Sequence, residues 1–542
     1  MSASSKKRLR KEQEAAKMTE KQLTAQKEAK KVNLYTTCFV AVMAVLLVVA
    51  IVVGVNQTIT NSGMREKNTV ALTVGDHEIN SVEMNYFFMD AVNNFYSQYG
   101  SMASFFGLDL TKPLNEQIVN EETGLTWADD FLASAKSNAK AVYAMADAAE
   151  AAGFQLSNEE LTEIEYQISN MNTYANMYGY ADADAYLQAM YGKGADTESF
   201  TAYAKLTALA SAYYNAYAES LTYTDADLRA KEAENFNAYS SYSFNTYYLS
   251  TSKFRTGGTT DEEGNTTYTD AETAAAEAAA EEAAKVLTAE DITSIAALDD
   301  AIAALPINNG TTASSTANTN TMYANVNGIY ADWLTDAARK TGDKAYFAST
   351  STDAEGNETV SGYYVVYFLE SNDNTMPLAN VRHILVSFEG GTTNETTGAT
   401  VYSDEEKAAA KAAAEEILNE WKSGAADEAF FAELANAKSA DGDGTTGGLY
   451  ENVYPGQMVA NFNDWCFDDA RASGDTGIVE TEYGYHVMYY VGESDMNYRD
   501  FQIENALRSA DASAWYTETV DALSVTDGDT KFVMTDLVLS NG

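Results

Sequence analysis

An internal repeat constrains the fold of this 542-residue chain more than any other feature. Residues 269–282 and 403–416 agree at ten of 14 positions, at an offset of 134. Both segments open with a capping box, in which Thr269 or Ser403 is followed three residues later by Glu. In such a box the hydroxyl and the carboxylate each bind an otherwise unpaired backbone N–H. The repeated unit therefore contains a capped, alanine-rich helix.

Two further matches extend the repeat to the rest of each unit. Residues 333–343 and 465–475 agree at six of 11 positions, including the Trp, the Arg and the Gly-Asp pair. The strand-like segments 362–369 and 484–491 also correspond. Both copies therefore share one order: strand, capped helix, further helix, Gly-Asp turn and terminal strand.

This order predicts two homologous α+β domains, near residues 237–375 and 376–494. Each domain begins with a β-rich run, at 242–250 and 381–388, where β-branched and aromatic residues are frequent. We expect the intervening helices to cover one face of an antiparallel sheet.

The two copies differ in their histidines. His383 lies in the first strand of the second copy and His486 in its last strand, whereas the first copy contains no histidine. Tyr364 stands where His486 stands in the second copy. The remaining histidine, His77, is expected to be an exposed strand residue. The two copies therefore differ in the side chains that they place at corresponding strand positions.

An uncharged run near the amino end predicts a membrane anchor. No charged residue occurs between Lys31 and Arg65, and 13 of the 22 residues at 34–55 are Leu, Ile, Val or Phe. These residues favour insertion by about 4–8 kcal/mol, and 22 helical residues span the hydrocarbon core. We predict a transmembrane helix at 32–56. A cleaved signal peptide is the alternative, although no small-residue cleavage site follows the run.

Charge predicts the orientation of this anchor. Residues 1–31 contain ten Lys/Arg and four acidic residues, in a chain of net charge −46. The positive-inside rule places this tail in the cytoplasm and the large remainder outside the cell membrane. That acidic remainder argues against nucleic acid as a partner. Since Cys38 and Cys466 are the only cysteines, a disulfide framework and a Cys/His zinc site of the usual spacing are excluded.

The segment between the predicted anchor and the first copy is predicted to be mostly helical. A hairpin pattern at 70–79 opens it. Helical stretches follow at 81–98, 127–152, 157–172 and 197–219. Tyr and Met are abundant at 174–192. They have two interpretations, namely core-facing aromatics on amphipathic helices or a surface that holds unfolded segments.

Four segments of the second copy resemble the parvulin family of peptidyl-prolyl isomerases. They are VRHILVSF at 381–388, GGLY at 447–450, GQMVANF at 456–462 and GDTGIVETEYGYHVMYYV at 474–491. The full layout is similar to extracytoplasmic foldases of the SurA/PrsA type. This resemblance implies a SurA-like helical chaperone domain at 66–236, a degenerate first parvulin-like domain and an isomerase domain. It also implies a carboxyl-terminal segment at 495–542 that packs on the helical domain.

The resemblance also assigns site residues. His383 and His486 match the paired active-site histidines, and Asp441 falls where family members have Cys or Asp. The implied proline-binding pocket consists of Leu449, Gln457, Met458 and Phe462. This chain reads TGGLY where members usually read GGDLG. Because Met458 and Phe462 are four residues apart, we expect both on one turn of a helix that faces the pocket.

Isomerisation of an X–Pro bond breaks no covalent bond, so no metal, cofactor or covalent nucleophile is expected. The Asp-Gly motif at Asp441 does not complete a calcium-binding EF-hand, which would require glycine and glutamate where Thr446 and Asn452 stand. Cys466 is expected to be a small core residue.

Together these patterns predict a membrane-anchored, extracytoplasmic peptidyl-prolyl cis/trans isomerase. Its expected partners are unfolded or partly folded exported proteins with X–Pro bonds, and nucleic acid is not among them. Two alternatives remain. One is a non-catalytic holdase chaperone and the other is an envelope scaffold, and in both the parvulin-like domains only bind peptide.

Overall fold

The computed structural model describes residues 4–8, 10, 63–262, 264–309, 312–352, 356, 358–394, 398–442 and 444–539. The predicted membrane span lies outside these residues. Among the helices that are described, none is both long enough and apolar enough to cross a bilayer. The membrane anchor therefore stays a prediction from the sequence.

Helices dominate the described chain before residue 223. They are α1 (Met64–Asn68), α2 (Ser81–Tyr99), α3 (Trp127–Ala151), α4 (Asn158–Met177), α5 (Ala183–Tyr191) and α6 (Thr197–Ser220). The short strands are β1 (Val70–Val74), β2 (His77–Asn80), β3 (Ile118–Asn120) and β4 (Leu125–Thr126). The predicted hairpin is confirmed, because β1 and β2 pair antiparallel. The four predicted long helices are also confirmed, each starting within one residue of its expected position.

Polar caps fix where these helices begin. The side chain of Asn80 accepts hydrogen bonds from two backbone N–H groups at the start of α2, and Thr126 forms a capping box for α3. A cap of this kind typically stabilises a helix by about 1 kcal/mol. Behind the cap, Phe87 and Phe88 of α2 are buried in one core with Leu72 of β1. The same sequence pattern thus starts the helix and buries its apolar face.

The first copy of the repeat forms a four-stranded sheet. Its elements, after α7 (Asp225–Glu234), are β5 (Ser241–Ser250), β6 (Thr259–Thr260), β7 (Thr266–Thr267), α8 (Asp270–Leu287), α9 (Ile295–Ala303), β8 (Thr316–Met322), α10 (Gly328–Leu334), β9 (Lys344–Thr352) and β10 (Glu358–Asn372). The strand order is β8-β5-β10-β9, with antiparallel neighbours throughout. The short strands β6 and β7 form a separate hairpin.

The second copy repeats this arrangement. Its elements are β11 (Pro377–Ser387), β12 (Thr392–Thr393), β13 (Thr400–Val401), α11 (Asp404–Ser423), α12 (Glu428–Lys438), β14 (Leu449–Val453), α13 (Ala460–Cys466), β15 (Thr476–Thr481) and β16 (Gly484–Asn497). The strand order is β14-β11-β16-β15, again antiparallel. One edge of each four-stranded sheet is therefore its second strand in chain order, β8 or β14. The other edge is its third strand in chain order, β9 or β15. The predicted α+β class with antiparallel sheets is confirmed for both copies.

Two helices cover one face of the second sheet. Ile384 of β11 and Val487 of β16 are buried against Leu418 of α11 and Phe431 of α12. In the first copy, Leu249 is buried in the corresponding way against the alanine-rich α8 and the neighbouring α9. The helices therefore cover only one face of each sheet, and a binding site can form on the opposite face.

The alanine-rich helices α8 and α11 begin with the same hydrogen-bonded cap in both copies. Each capping box is present. Its glutamate also accepts from a glycine N–H of the preceding hairpin, Gly258 in the first copy at 3.0 Å and Gly391 in the second at 2.8 Å. Both glycines have positive φ, and a Cβ at either would lie 2.8 Å from a tyrosine ring. The repeat therefore conserves a contact between the hairpin and the helix that the sequence match only partly contained.

Contacts divide the described chain into two units. One contains residues 223–505, and the other contains residues 63–222 together with 506–539. In the latter unit, β17 (Val525–Asp527), which follows α14 (Tyr498–Asp521), pairs with β1. Trp515 of α14 stacks on Tyr217 of α6 with ring centroids 3.7 Å apart. The end of the chain thus completes both the small sheet and the helical packing of this unit.

Candidate active site

The two histidines of the second copy lie on the face of its sheet opposite α11 and α12. Ile384 and Val487 point towards those helices, and successive side chains of a strand alternate between faces. His383 precedes Ile384 and His486 precedes Val487, so both histidines point the other way. The strand register makes them diagonal neighbours, which is close enough for their rings to meet.

A hydrogen bond joins the two rings. Nδ1 of His383 lies 3.1 Å from Nδ1 of His486, and the ring centroids are 5.2 Å apart. The two residues are only 2% and 6% exposed. One Nδ1 donates and the other accepts, so each imidazole fixes the orientation of its partner.

Thr481 holds the far side of His486. Its Oγ1 lies 2.9 Å from Nε2 of the histidine, and the backbone N–H of Tyr483 donates to the same Oγ1 at 3.2 Å. The sequence analysis missed Thr481. The turn between the two strands could have indicated it. Thr481 pairs with Gly484 across this tight turn, and Thr481 is therefore a diagonal neighbour of His486 on the adjacent strand.

Asp441 lies on the far side of His383. Its Oδ2 is 3.0 Å from Nε2 of the histidine, and its side chain is 35% exposed. Nε2 is not aligned with this oxygen as a hydrogen bond requires, so the contact is mainly electrostatic. A carboxylate accepts only, and it therefore favours the tautomer with the proton of His383 on Nε2. Thr481 then donates to His486, and His486 donates to His383.

Tyr450 binds the same carboxylate. Its hydroxyl donates to Oδ2 of Asp441 at 2.6 Å, and its ring centroid lies 4.6 Å from that of His383. Burial, followed by the charge of Asp441, raises the pKa of the Tyr450 hydroxyl far above its usual range. Tyr450 is thus a neutral donor at all physiological pH values. It is a second residue that the sequence analysis missed.

Burial also controls the charge of His486. Burial, together with the neighbouring His383, lowers the pKa of His486 to about 3, and the Asp441 carboxylate opposes this shift only in part. His486 is therefore neutral near pH 7. A neutral imidazole can donate from one ring nitrogen while it accepts at the other, as its two contacts require.

Phe462 forms an aromatic wall beside the histidines. It lies in α13, is 2% exposed, and has its ring centroid 5.4 Å from that of His383 and 5.3 Å from that of His486. Both contacts are edge-on. The Tyr450 ring is 6.4 Å away. An apolar wall next to oriented polar groups can bind a compact apolar ring and a neighbouring amide.

The structure places the other predicted pocket residues differently. Leu449 and Tyr450 are neighbours in β14, so their side chains point to opposite faces, and Tyr450 is the one beside His383. The side chain of Gln457 accepts from the backbone N–H of Tyr454 at 3.0 Å and thus stabilises a turn. Met458 is half-buried. It precedes α13, which begins at Ala460, so the prediction that it shares a helical turn with Phe462 is wrong.

Two other residues singled out in the sequence do not join the site. Cys466 is buried, and burial raises the pKa of its thiol to about 12, so the reactive thiolate is not populated at neutral pH. His77 is half-exposed in β2, with Nε2 2.7 Å from Oδ1 of Asp147. Within the described residues, no group of three His, Cys, Asp or Glu side chains is arranged to hold a metal ion.

The first copy places different residues at the histidine positions. Its register sets Thr246 opposite Val366, as the second copy sets His383 opposite Met488. The positions of His383 and His486 are thus occupied by Thr246 and Tyr364. The Tyr364 ring lies 4.7 Å from that of Tyr248. Side chains that could form the imidazole pair are therefore absent from this copy.

Comparison with known proteins locates a domain of known family in this region. Residues 363–492 match the family model described as the PPIC-type PPIASE domain. The match contains all of the site residues described above. No curated protein gives a significant match to the chain.

Two solved structures are also similar. One is the crystal structure of peptidylprolyl isomerase (PrsA) from Bacillus anthracis, which has 21% sequence identity to this chain and a TM-score of 0.17. That match covers 28% of this chain and 59% of the Bacillus anthracis chain. The corresponding protein from Bacillus cereus is 22% identical, with a TM-score of 0.18, over 30% of this chain and 57% of that chain. The match thus spans less than two thirds of either protein.

Proposed function

We propose that the second copy catalyses cis/trans isomerisation of X–Pro bonds in polypeptides. The observation that carries this proposal is the chain Thr481–His486–His383–Asp441, which runs alongside the Phe462 wall and whose two histidines are buried. The family match over residues 363–492 supports the same activity. Every group of the chain is oriented by a neighbour, so the site is preorganised before a substrate binds.

The chemistry needs no covalent step. An X–Pro amide rotates over a barrier of about 18–20 kcal/mol, because rotation breaks the resonance between nitrogen and carbonyl. Phe462 would hold the pyrrolidine ring. The carboxylate of Asp441 would repel the partly negative carbonyl oxygen of the planar amide more than that of the twisted amide. Differential binding of about 5–6 kcal/mol would accelerate rotation roughly 10⁴-fold.

The test is a prolyl-peptide isomerisation assay on the full chain. We expect a rate well above the spontaneous one, and we expect the His383→Ala variant to lose most of it. A wild-type rate equal to the spontaneous rate would refute isomerase activity. Near-ultraviolet circular dichroism of both proteins controls for loss of folding.

We also propose that the isomerase is anchored with its large part outside the cell membrane. The support comes from the sequence alone, namely the uncharged run at 34–55 and the basic tail at 1–31. Protease added to intact protoplasts is expected to digest residues 57–542 and to spare the tail. Protection of the large part would contradict this topology.

A second candidate function is binding of unfolded segments by the amino-terminal helical region. Its support is the exposure of large apolar side chains there, with Phe105 81% exposed and Tyr166 and Met177 each 63% exposed. Such side chains attract apolar segments of unfolded chains. If this function is present, the His383→Ala variant should still suppress aggregation of an unfolded protein. If suppression is lost with isomerase activity, the holdase proposal fails.

A further inference from the structure

The charges around the site suggest which prolines it selects. We infer that the site prefers X–Pro segments with Lys or Arg next to the proline and disfavours segments with an acidic or phosphorylated residue there. This inference rests on the proposed isomerase function and specifies its substrate class.

The nearest charge to the proposed reaction centre is negative. Asp441 lies 3.0 Å from His383 and is about one third exposed, so a bound peptide and solvent both reach its carboxylate. Its hydrogen-bond donor, Tyr450, is neutral and leaves the negative charge in place. Thr481 and Phe462, the other groups at the site, are uncharged.

Among the described residues of the second copy, basic side chains are few and most are paired with carboxylates. Residues 376–494 contain 21 acidic residues and only six basic ones. Four of the basic residues have carboxylate partners, and these four are Arg382, Lys407, Lys438 and Arg471. The other two, Lys411 and Lys422, lie in α11, which covers the opposite face of the sheet.

The potential at the site should therefore be negative. A cationic residue beside the proline would be attracted by Asp441 and by the surrounding excess of carboxylates, both during encounter and in the complex. An acidic residue at the same place would be repelled, and a phosphorylated one more strongly because it carries almost two charges. These interactions act through water and are therefore screened by salt.

The experiment compares peptides that differ in one residue. Chromogenic peptides with Lys, Ala or Glu immediately before the proline, and a second series with the same residues after it, are assayed with the full chain. At about 10 mM salt we expect kcat/KM to fall from Lys to Ala to Glu in at least one series. The expected Lys/Glu ratio is on the order of 5- to 20-fold, and it should approach one at about 1 M salt.

Two matched variants locate the effect. Asp441→Asn removes the charge at the site, and Glu415→Gln removes one from the exposed surface of α11, on the other face. We expect Asp441→Asn to reduce the Lys/Glu ratio at least twofold and Glu415→Gln to leave it unchanged. If Asp441→Asn is too slow to assay, the ratio of peptide Kd values for the same peptides gives the same information.

The outcomes distinguish the inference from its premise. Equal kcat/KM for all peptides in both series, or a Lys/Glu ratio that survives Asp441→Asn, would overturn the inference while isomerase activity stands. If the wild type has no isomerase activity, the proposed function fails. The ratio of Kd values then still decides whether the site selects cationic segments.

Discussion

The two copies of the repeat keep the same scaffold and differ at the histidine positions. Both have the same strand order, the same capping box and an arginine stacked on a tryptophan near the Gly-Asp turn. The guanidinium of Arg339 lies 4.5 Å from the Trp333 ring centre, and that of Arg471 lies 4.1 Å from the Trp465 ring centre. Only the second copy has an imidazole pair in the middle of its sheet.

This difference shows that the fold of the unit does not depend on the histidines. The scaffold contacts are made on the helix-covered face and in the turns, whereas the histidines lie on the opposite face. A first copy with Thr246 and Tyr364 in their place still forms four paired strands. Substitutions at the histidine positions of the second copy should therefore affect activity more than they affect folding.

The largest effect is expected from His383→Ala. The substitution leaves the buried Nδ1 of His486 without a partner, which costs about 1–3 kcal/mol. If that cost falls on the transition state, kcat decreases roughly 5- to 150-fold. The matched control is Thr246→Ala at the same register position of the first copy, which should leave kcat unchanged. A similar loss of kcat in both variants would contradict the claim that only the second copy carries the active site.

A smaller effect is expected from Thr481→Val, which removes the hydroxyl that binds Nε2 of His486. The loss of about 1 kcal/mol should lower kcat about fivefold. Thr481→Ser retains the hydroxyl and should restore most of the activity. Ser349 is the corresponding residue of the first copy, since it pairs with Gly362 as Thr481 pairs with Gly484. Ser349→Ala should have no effect, so an effect there would point to general destabilisation.

A still smaller effect is expected from Tyr450→Phe. The variant keeps the aromatic ring beside His383 but removes the hydroxyl that donates to Asp441. We expect kcat to decrease about two- to fivefold and KM to stay within a factor of two, because the apolar wall is intact. A large increase in KM with constant kcat would instead make Tyr450 a substrate-binding residue.

The sequence predicted the elements of the scaffold more completely than the walls of the site. Periodicity and capping residues predicted the helices, and the resemblance to the parvulin family assigned the two histidines, which both fall in strands of one copy. The resemblance assigned Leu449 to the pocket from a motif in which the chain departs from the family pattern, and it assigned no role to Tyr450. Two neighbouring residues of a strand point to opposite faces of the sheet, so only one of them can face His383. The register of β14 against β11 determines which one does. Likewise, the start of α13 at Ala460 depends on the turn formed by Gln457.

The smallest expected effect is the response of the rate to pH. With the pKa of His486 lowered to about 3, the imidazole stays neutral from pH 8 down to about pH 5. Its contribution to kcat should be constant over that range. The folded protein binds fewer protons at this residue than the unfolded chain does between about pH 3 and pH 6.5, the unfolded value. The free energy of unfolding should therefore decrease as the pH falls through this range.

These two responses separate His486 from an ordinary exposed histidine. Titration of His486 should add no inflection to the isomerase rate between pH 8 and pH 5, whereas urea unfolding at the same pH values should show falling stability. His486→Asn should weaken the pH dependence of stability, because it removes the group that gains a proton on unfolding. An inflection of kcat near pH 6.5 that is absent from His486→Asn would mean that His486 titrates normally. The site would then be hydrated, and the buried, oriented imidazole pair would not be what distinguishes the second copy from the first.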